Sequence, residues 1–101
     1  TLVGVSGLYQ GAQITLKNGE MIRLGRSSEN DLIFADQMHV SRQHCQITWD
    51  EAKGQYKIYD TSSTGSYMNG QEEPLPQNME VWLGTGVTLD IGDSTNRFSL
   101  E

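Results

Sequence analysis

The stretch that decides the fold is Cys45-Gln46-Ile47-Thr48-Trp49, then Asp50-Glu51-Ala52-Lys53-Gly54, then Gln55-Tyr56-Lys57-Ile58-Tyr59. In the first segment apolar and polar residues alternate with period two. An extended chain then sends Cys45, Ile47 and Trp49 to one face. The last segment turns Tyr56 and Ile58 inward in the same way. Two alternating segments joined by a polar, glycine-closed turn read as an antiparallel pair of strands with one buried side.

The same grammar runs outward in both directions. Upstream, Ile14-Thr15-Leu16 and Met21-Ile22-Arg23-Leu24 flank Lys17-Asn18-Gly19-Glu20. Asn-Gly is the strongest short hairpin signal, so these two segments are expected to pair across it. Leu32-Ile33-Phe34 is a short apolar strand between polar loops. Downstream, Tyr67-Met68 enters a second Asn-Gly turn at Asn69-Gly70. Val81-Trp82-Leu83, Val87-Thr88-Leu89-Asp90-Ile91 and Arg97-Phe98-Ser99-Leu100 complete the series, separated by glycine turns. The 11 glycines leave no room for a long helix, and the 2 prolines, Pro74 and Pro76, share one loop. Nine or ten short strands at close spacing predict an all-β sandwich or a closed barrel. Trp49 and Trp82 are read as core residues; a Trp left exposed would instead mark a second interaction face.

Composition sets limits on function. The chain has 101 residues, enough for one core and too few for two. Lys and Arg number 7 against 13 Asp and Glu, a net charge of −6. That balance argues against nucleic acid, whose phosphates need a basic face, and against direct membrane contact, since anionic lipids attract polybasic segments. No apolar run approaches the ~20 residues of a membrane span. Thr1 to Ser6 has neither the basic nor the long apolar region of a signal peptide. The first residue is not Met, so residues 1–101 are expected to be a single domain taken from a longer protein. One cysteine, Cys45, excludes an internal disulfide and a cysteine-based zinc site. It suits a reducing compartment, so the expected location is the cytoplasm, or the cytoplasmic face if the parent protein is anchored.

Function on such a sandwich belongs to loops gathered at one end. Three polar loops stand out. Gly25 to Asn30 holds Arg26-Ser27-Ser28, Asp36 to His44 holds Ser41-Arg42-Gln43-His44, and Asp60 to Ser66 is almost wholly Ser, Thr and Gly. Guanidinium forks give bidentate, charge-assisted bonds to phosphate, and hydroxyls and free amides take the remaining oxygens. Two arginines and two hydroxyls suffice for binding near about −8 kcal/mol, in the micromolar range.

These residues, in this order, resemble the forkhead-associated (FHA) domain family. The resemblance rests on Gly25-Arg26, Asn30-Asp31-Leu32, Phe34, Val40-Ser41-Arg42-Gln43-His44 and the run from Asp60 to Gly70. Leu83-Gly84-Thr85-Gly86 through Ile91-Gly92 to Phe98 resembles that family's last strands. The resemblance implies an FHA-like (SMAD/FHA) sandwich of about eleven mostly antiparallel strands. It implies a non-catalytic module that binds phosphothreonine in a partner protein, the product of a Ser/Thr kinase, with no cofactor and no metal. By position, Arg26 would grip the phosphate, Ser41 and Ser63 would donate hydroxyls, and Arg42 would reach the phosphate or the peptide backbone. His44 and Asn69 would tie the recognition loops together, and Gly25 and Gly70 would serve backbone turns. Thr64 stands where the family usually has a peptide-bridging Asn, and Ser66 where it has Thr. An Asn amide donates and accepts at once, whereas a hydroxyl has one proton, so Thr64 bears on peptide affinity more than on phosphate contact.

Plainer readings stand beside these. Arg42 has Asp36 and Asp60 as possible structural partners. Ser41 can be a turn residue. His44 and Cys45 are adjacent in a strand and point to opposite faces, so they form no thiolate–imidazole pair, and Cys45 reads as a small core residue. His39 and His44 lack a third nearby ligand for zinc. The alternative function is a phospho-independent scaffold with a degenerate phosphate site. A hydrolase or carbohydrate binder has only scattered carboxylates and two tryptophans in its favour.

Overall fold

The computed structural model describes all 101 residues, Thr1 to Glu101. Ten strands make it up: β1 (Leu2–Ser6), β2 (Gln13–Ile14), β3 (Met21–Gly25), β4 (Leu32–Ile33), β5 (Cys45–Asp50), β6 (Gln55–Asp60), β7 (Ser66–Met68), β8 (Glu80–Gly84), β9 (Val87–Ile91) and β10 (Arg97–Leu100). They form two five-stranded sheets, ordered β2-β1-β10-β9-β7 and β4-β3-β5-β6-β8. All pairings are antiparallel except β3 with β4. The architecture is the expected all-β sandwich.

The β5–β6 pair is the backbone of its sheet. Its register runs from Cys45 opposite Asp60 to Asp50 opposite Gln55. Cys45, Ile47, Tyr56 and Ile58 are buried, as the alternation requires, and meet Leu2, Leu89, Phe98 and Leu100 from the facing sheet. Trp49 packs at the margin of this core, its ring centroid 4.7 Å from that of Tyr56. Trp82 does not join the core. It is half-buried on β8, and the Lys53 ammonium sits 3.7 Å from its ring centroid. The period-two pattern explains the difference: Leu83 takes the inward position and its neighbour Trp82 the outward one.

Asn18-Gly19 closes no hairpin. A two-residue type I′ turn needs φ > 0 at both central residues, and of the two only Gly19 has it, at 78°. Gly19 N donates to Trp49 O (2.8 Å) and Trp49 N to Glu20 O, which fastens the turn to β5. The chain therefore crosses between layers here: β2 lies in one sheet and β3 in the other. At Asn69-Gly70, by contrast, both residues have positive φ (54° and 68°), and Gln71 N closes the turn onto Met68 O. Strand β1 escaped the periodicity reading because Gly4 occupies an inward position. A side chain there would collide with the Tyr9 carbonyl.

The topology gathers the loops. The β3–β4, β4–β5, β6–β7 and β9–β10 connections emerge at one end. The β5–β6 turn and both chain ends lie at the other, where Leu2 pairs with Leu100 and Glu101 N donates to Thr1 O.

Candidate functional site

The site is built from loop backbones laced to one another. Gly25 ends β3 where the second loop passes directly beneath it. A Cβ there would overlap the Arg42 carbonyl oxygen and lie 2.7 Å from Asn30 Nδ2. The close approach lets Arg26 N donate to Ser41 O (2.9 Å) and Ser27 N to Arg42 O (3.2 Å). Buried Asn30 completes the lacing, its Nδ2 donating to Ser27 O (2.9 Å) and Arg42 O (2.7 Å). Asn30 is a site residue that chemical reasoning passed over. A buried amide has no sequence signature distinguishing it from a turn Asn.

His44 joins the second loop to the third. Ser41 N donates to His44 Nδ1 at 3.1 Å, so that nitrogen carries no proton. The proton is on Nε2, which donates to Gly65 O at 2.9 Å. The ring is fully buried and neutral. Burial lowers its pKa, against the opposing pull of the Asp60 carboxylate, whose Oδ2 is 4.0 Å from Nε2, and of the Gly65 carbonyl.

The third loop folds around Asp60. This buried carboxylate accepts from Ser62 N (2.7 Å), from Ser62 Oγ (2.6 Å) and from Ser66 Oγ. Ser62 Oγ in turn accepts from Gly65 N at 2.8 Å. Ser62 and Ser66 are therefore consumed inside the fold, exposed Thr61 donates its hydroxyl to Gln43 O (2.8 Å), and Ser63 and Thr64 are the other hydroxyls toward the surface. Ser63 N donates to Ser41 Oγ at 3.0 Å, and the two hydroxyl oxygens are 3.2 Å apart. Between them they own two protons and share one bond, so one proton is left for an incoming oxygen. Thr64 Oγ1 donates its proton to His39 O at 2.7 Å, closing the second loop on the third.

The charges complete the arrangement. Of the four arginines, Arg23 pairs with Asp31 and Arg97 with Asp90. Neither Arg26 nor Arg42 forms an ion pair, and Arg42 engages neither Asp36 nor Asp60. The one hydrogen bond of the Arg26 guanidinium is Nη1 to Met38 Sδ at 3.9 Å. Two free guanidiniums rooted beside a hydroxyl pair make a surface that can hold a tetrahedral dianion. The larger hollows lie elsewhere, about 350 Å³ beside Tyr67, Glu72 and Arg97 and about 240 Å³ over Met21, Thr48 and Lys57.

The structure thus brings Arg26, Ser41, Arg42, Ser63 and Thr64 to one end, with Gly25 and His44 beneath them. Asn69 is a correction. Its Oδ1 accepts from Thr88 N at 2.9 Å, so it fastens β7 to β9 and ties no recognition loop to another. Gly70 belongs to that same turn. Its nearest neighbour is the Arg97 guanidinium, away from Arg26 and Ser41. Cys45 is buried, and burial together with the nearby Asp60 charge pushes its thiol far up, which removes any nucleophilic role.

Comparison with known proteins follows the same line. Residues 22–92 match the FHA domain family. Over 83 residues the chain is 30% identical to the E3 ubiquitin-protein ligase CHFR of Pongo abelii, covering 82% of this chain and 14% of that protein. Among solved structures, the FHA domain of an Arabidopsis thaliana hypothetical protein superposes with a TM-score of 0.77 at 30% identity, covering 98% of this chain and 82% of that one. The FHA domain of Chlamydia trachomatis CT664 gives 0.76 at 24% identity, over 97% and 91% of the two chains. The N-terminal FHA domain of S. cerevisiae Rad53p, solved with a phosphothreonine peptide, gives 0.73 at 20% identity, over 96% and 86%. With the match spanning strands β3 to β9 and all three loops of the candidate site, the chain belongs to the FHA domain family.

Proposed function

We propose that this domain is a non-catalytic interaction module that binds phosphothreonine in a partner protein, the product of a Ser/Thr kinase. The observation that carries the reading is the Ser41–Ser63 hydroxyl pair, 3.2 Å apart, on a loop to which the backbone of Arg26, a residue with no ion pair, is bonded at Ser41 O. Arg26 supplies charge-assisted bonds, the one free proton of the hydroxyl pair takes a further oxygen, and Arg42 adds charge. The Rad53p domain of the same fold holds a phosphothreonine peptide, which motivates threonine as the residue to test. The single buried thiol suits a reducing compartment, and we place the domain in the cytoplasm or on a cytoplasmic face.

With a net charge of −6, long-range steering of a dianion is poor. Affinity must come from short contacts, so it falls only moderately with added salt. The test is calorimetry with one peptide in phosphothreonine, phosphoserine and unphosphorylated forms, against wild type and Arg26→Ala. The expected result is binding of the phosphothreonine form alone at high affinity, and a loss of at least about tenfold in Arg26→Ala, the worth of one charge-assisted bond. Equal binding of all three forms, with Arg26→Ala unaffected, would establish the phospho-independent scaffold instead.

A further inference from the structure

Met38 is the most exposed large apolar side chain of the domain, 75% accessible, yet it stands on a firmly held loop. Phe34 and Val40 anchor that loop in the core on either side. Between them Gln37 N donates to Phe34 O (3.1 Å) and Val40 N to Gln37 O (3.0 Å). Asn96 Nδ2, from the β9–β10 connection, donates to Gln37 Oε1 at 3.2 Å. The held backbone brings a water-exposed thioether to 3.9 Å from Arg26 Nη1. Of the four methionine sulfurs, this is the one hydrogen-bonded to a residue of the candidate site. Arg26 has no carboxylate partner, so its strongest competitor for a ligand within the fold is whatever Met38 offers it.

We propose that Met38 is a redox-modification site, whose oxidation to the sulfoxide by a peroxide ties up the Arg26 guanidinium and weakens phosphate binding. This rests on the phosphate reading of Arg26. The step is a two-electron oxygen transfer. Sδ attacks one peroxide oxygen, so that an S–O bond forms and the O–O bond breaks. The sulfur is oxidised and the peroxide reduced, and the departing oxygen takes the proton shed by the transferred one and leaves as water. Met38 is the most accessible methionine, and Cys45, buried with its thiol protonated, is no competing target. A thioether is a weak acceptor, which Arg26 gives up easily to a phosphate oxygen. A sulfoxide carries a strongly polarised oxygen, and a guanidinium donating to it makes a charge-assisted bond. No backbone need move, because Nη1 already faces the sulfur. The sulfoxide is uncharged, so the net charge stays at −6 and the effect is confined to competition for Arg26. With about four guanidiniums in five tied to the sulfoxide, the competent fraction is one in five and the apparent affinity falls about fivefold. Methionine sulfoxide reductases reverse the change, a dithiol supplying the two electrons and the oxygen leaving as water.

In the experiment the folded domain is treated briefly with hydrogen peroxide, and the oxidised residues are mapped by peptide mass spectrometry. Fluorescence polarisation follows a phosphothreonine peptide and its unphosphorylated form before treatment, after it, and after incubation with sulfoxide reductases and dithiothreitol. Wild type is compared with Met38→Leu, which keeps an apolar side chain that peroxide cannot oxidise. Met38→Gln sets an amide oxygen near Arg26 with no oxidant at all. The expected result is oxidation at Met38, a fall in phosphopeptide affinity of about fivefold, and recovery after reduction. Met38→Leu should bind within about twofold of untreated wild type and ignore peroxide. That variant retains exposed Met21 and Met79, so it accounts for their oxidation. Met38→Gln should bind more weakly than Met38→Leu without treatment. Met38 left unoxidised, full affinity in the oxidised wild type, or an equal loss in Met38→Leu overturns the role of Met38 while phosphate dependence stands. Untreated wild type binding both peptides equally would overturn the phosphate reading and this proposal together.

Discussion

Ser41 and His44, three residues apart, hold each other through an unusual polarity: the backbone N–H of Ser41 donates to the ring nitrogen Nδ1 of His44. The bond exists only while the imidazole is neutral, because protonation would put a donor against a donor. His44 has its pKa lowered from 6.5, chiefly by burial. The unfolded chain therefore takes up a proton more readily than the folded one. Stability from this group is complete above about pH 6.5 and is lost as pH falls toward the lower folded value. Urea unfolding without ligand should show stability declining below about pH 6.5, and His44→Gln should have a flatter profile. Omitting the ligand matters, because a phosphate group titrates near pH 6 on its own. A wild-type profile as flat as that of the variant would refute the assignment.

Removing the ring altogether costs more than the pH effect. His44→Ala strands Ser41 N, leaves Gly65 O with only the bond from Gly92 N, and empties the buried space the ring fills. The expected loss is about 2–4 kcal/mol, seen as a drop in Tm of about 10 °C or more. A change of a degree or two in calorimetry would mean water replaces the ring freely.

Gly25→Ala tests whether the first two loops depend on their close approach. The new methyl has the Arg42 carbonyl on one side and Asn30 Nδ2 on the other, both already committed to the lacing. Backbone must move, at about 1–3 kcal/mol. Arg26 remains present in this variant, so a fall in phosphopeptide affinity reports its placement. Wild-type affinity and stability together would show that the loops separate without consequence.

The β-sandwich was legible because strands such as β5 and β6 carry a strict period of two, and burial follows that period directly. The loops that gather at the candidate site were legible because hydroxyls and arginines cluster in them, and because their order resembles a known family. The supporting framework was not. Asn30 and Gln77 act through hydrogen bonds to backbone atoms 12 and 15 residues distant, and Asp60 through bonds folded back within its own loop, and side-chain type alone does not reveal such partners. The Asn18-Gly19 corner misled for a related reason. A dipeptide that permits a type I′ turn does not compel one, and the backbone bonds to Trp49 prevailed. Asn69 misled in the opposite sense, since its turn is as expected and its partner, Thr88, is a strand neighbour.

Thr64 differs from the family's usual Asn, and the structure shows what that costs. Its one hydroxyl proton is spent on His39 O, so toward a ligand Thr64 can only accept. An Asn at this position has two amide protons and a carbonyl oxygen, enough to keep the tie to His39 and still donate outward. Thr64→Asn should therefore raise phosphopeptide affinity by about three- to tenfold, the worth of one added hydrogen bond. Calorimetric titration of both proteins with one peptide decides it, and unchanged or weaker binding would show that the tie to His39 needs the threonine hydroxyl.

Gln77 gives the last test, of a buttress behind the hydroxyl loop. Gln77 Nε2 donates to Ser62 O at 2.6 Å, Asn78 N donates to Asp60 O at 2.8 Å, and Leu75 N donates to Ser66 O at 2.8 Å. Pro74 packs directly against Gly65, where an added Cβ would lie 2.8 Å from the proline Cβ. The connection between β7 and β8 thus presses on the loop at Asp60, Ser62, Gly65 and Ser66, and Ser63 is the residue left projecting toward Ser41. Gln77 touches no ligand in this arrangement, so its effect must pass through the position of Ser63. Gln77→Ala should weaken phosphopeptide binding about three- to tenfold with only about 1 kcal/mol lost in stability, since the bond it removes is partly solvated. Gln77→Glu keeps the size and loses the donor, so it should behave like the alanine variant. Full affinity in Gln77→Glu would show that packing, rather than the hydrogen bond to Ser62, holds the loop in place.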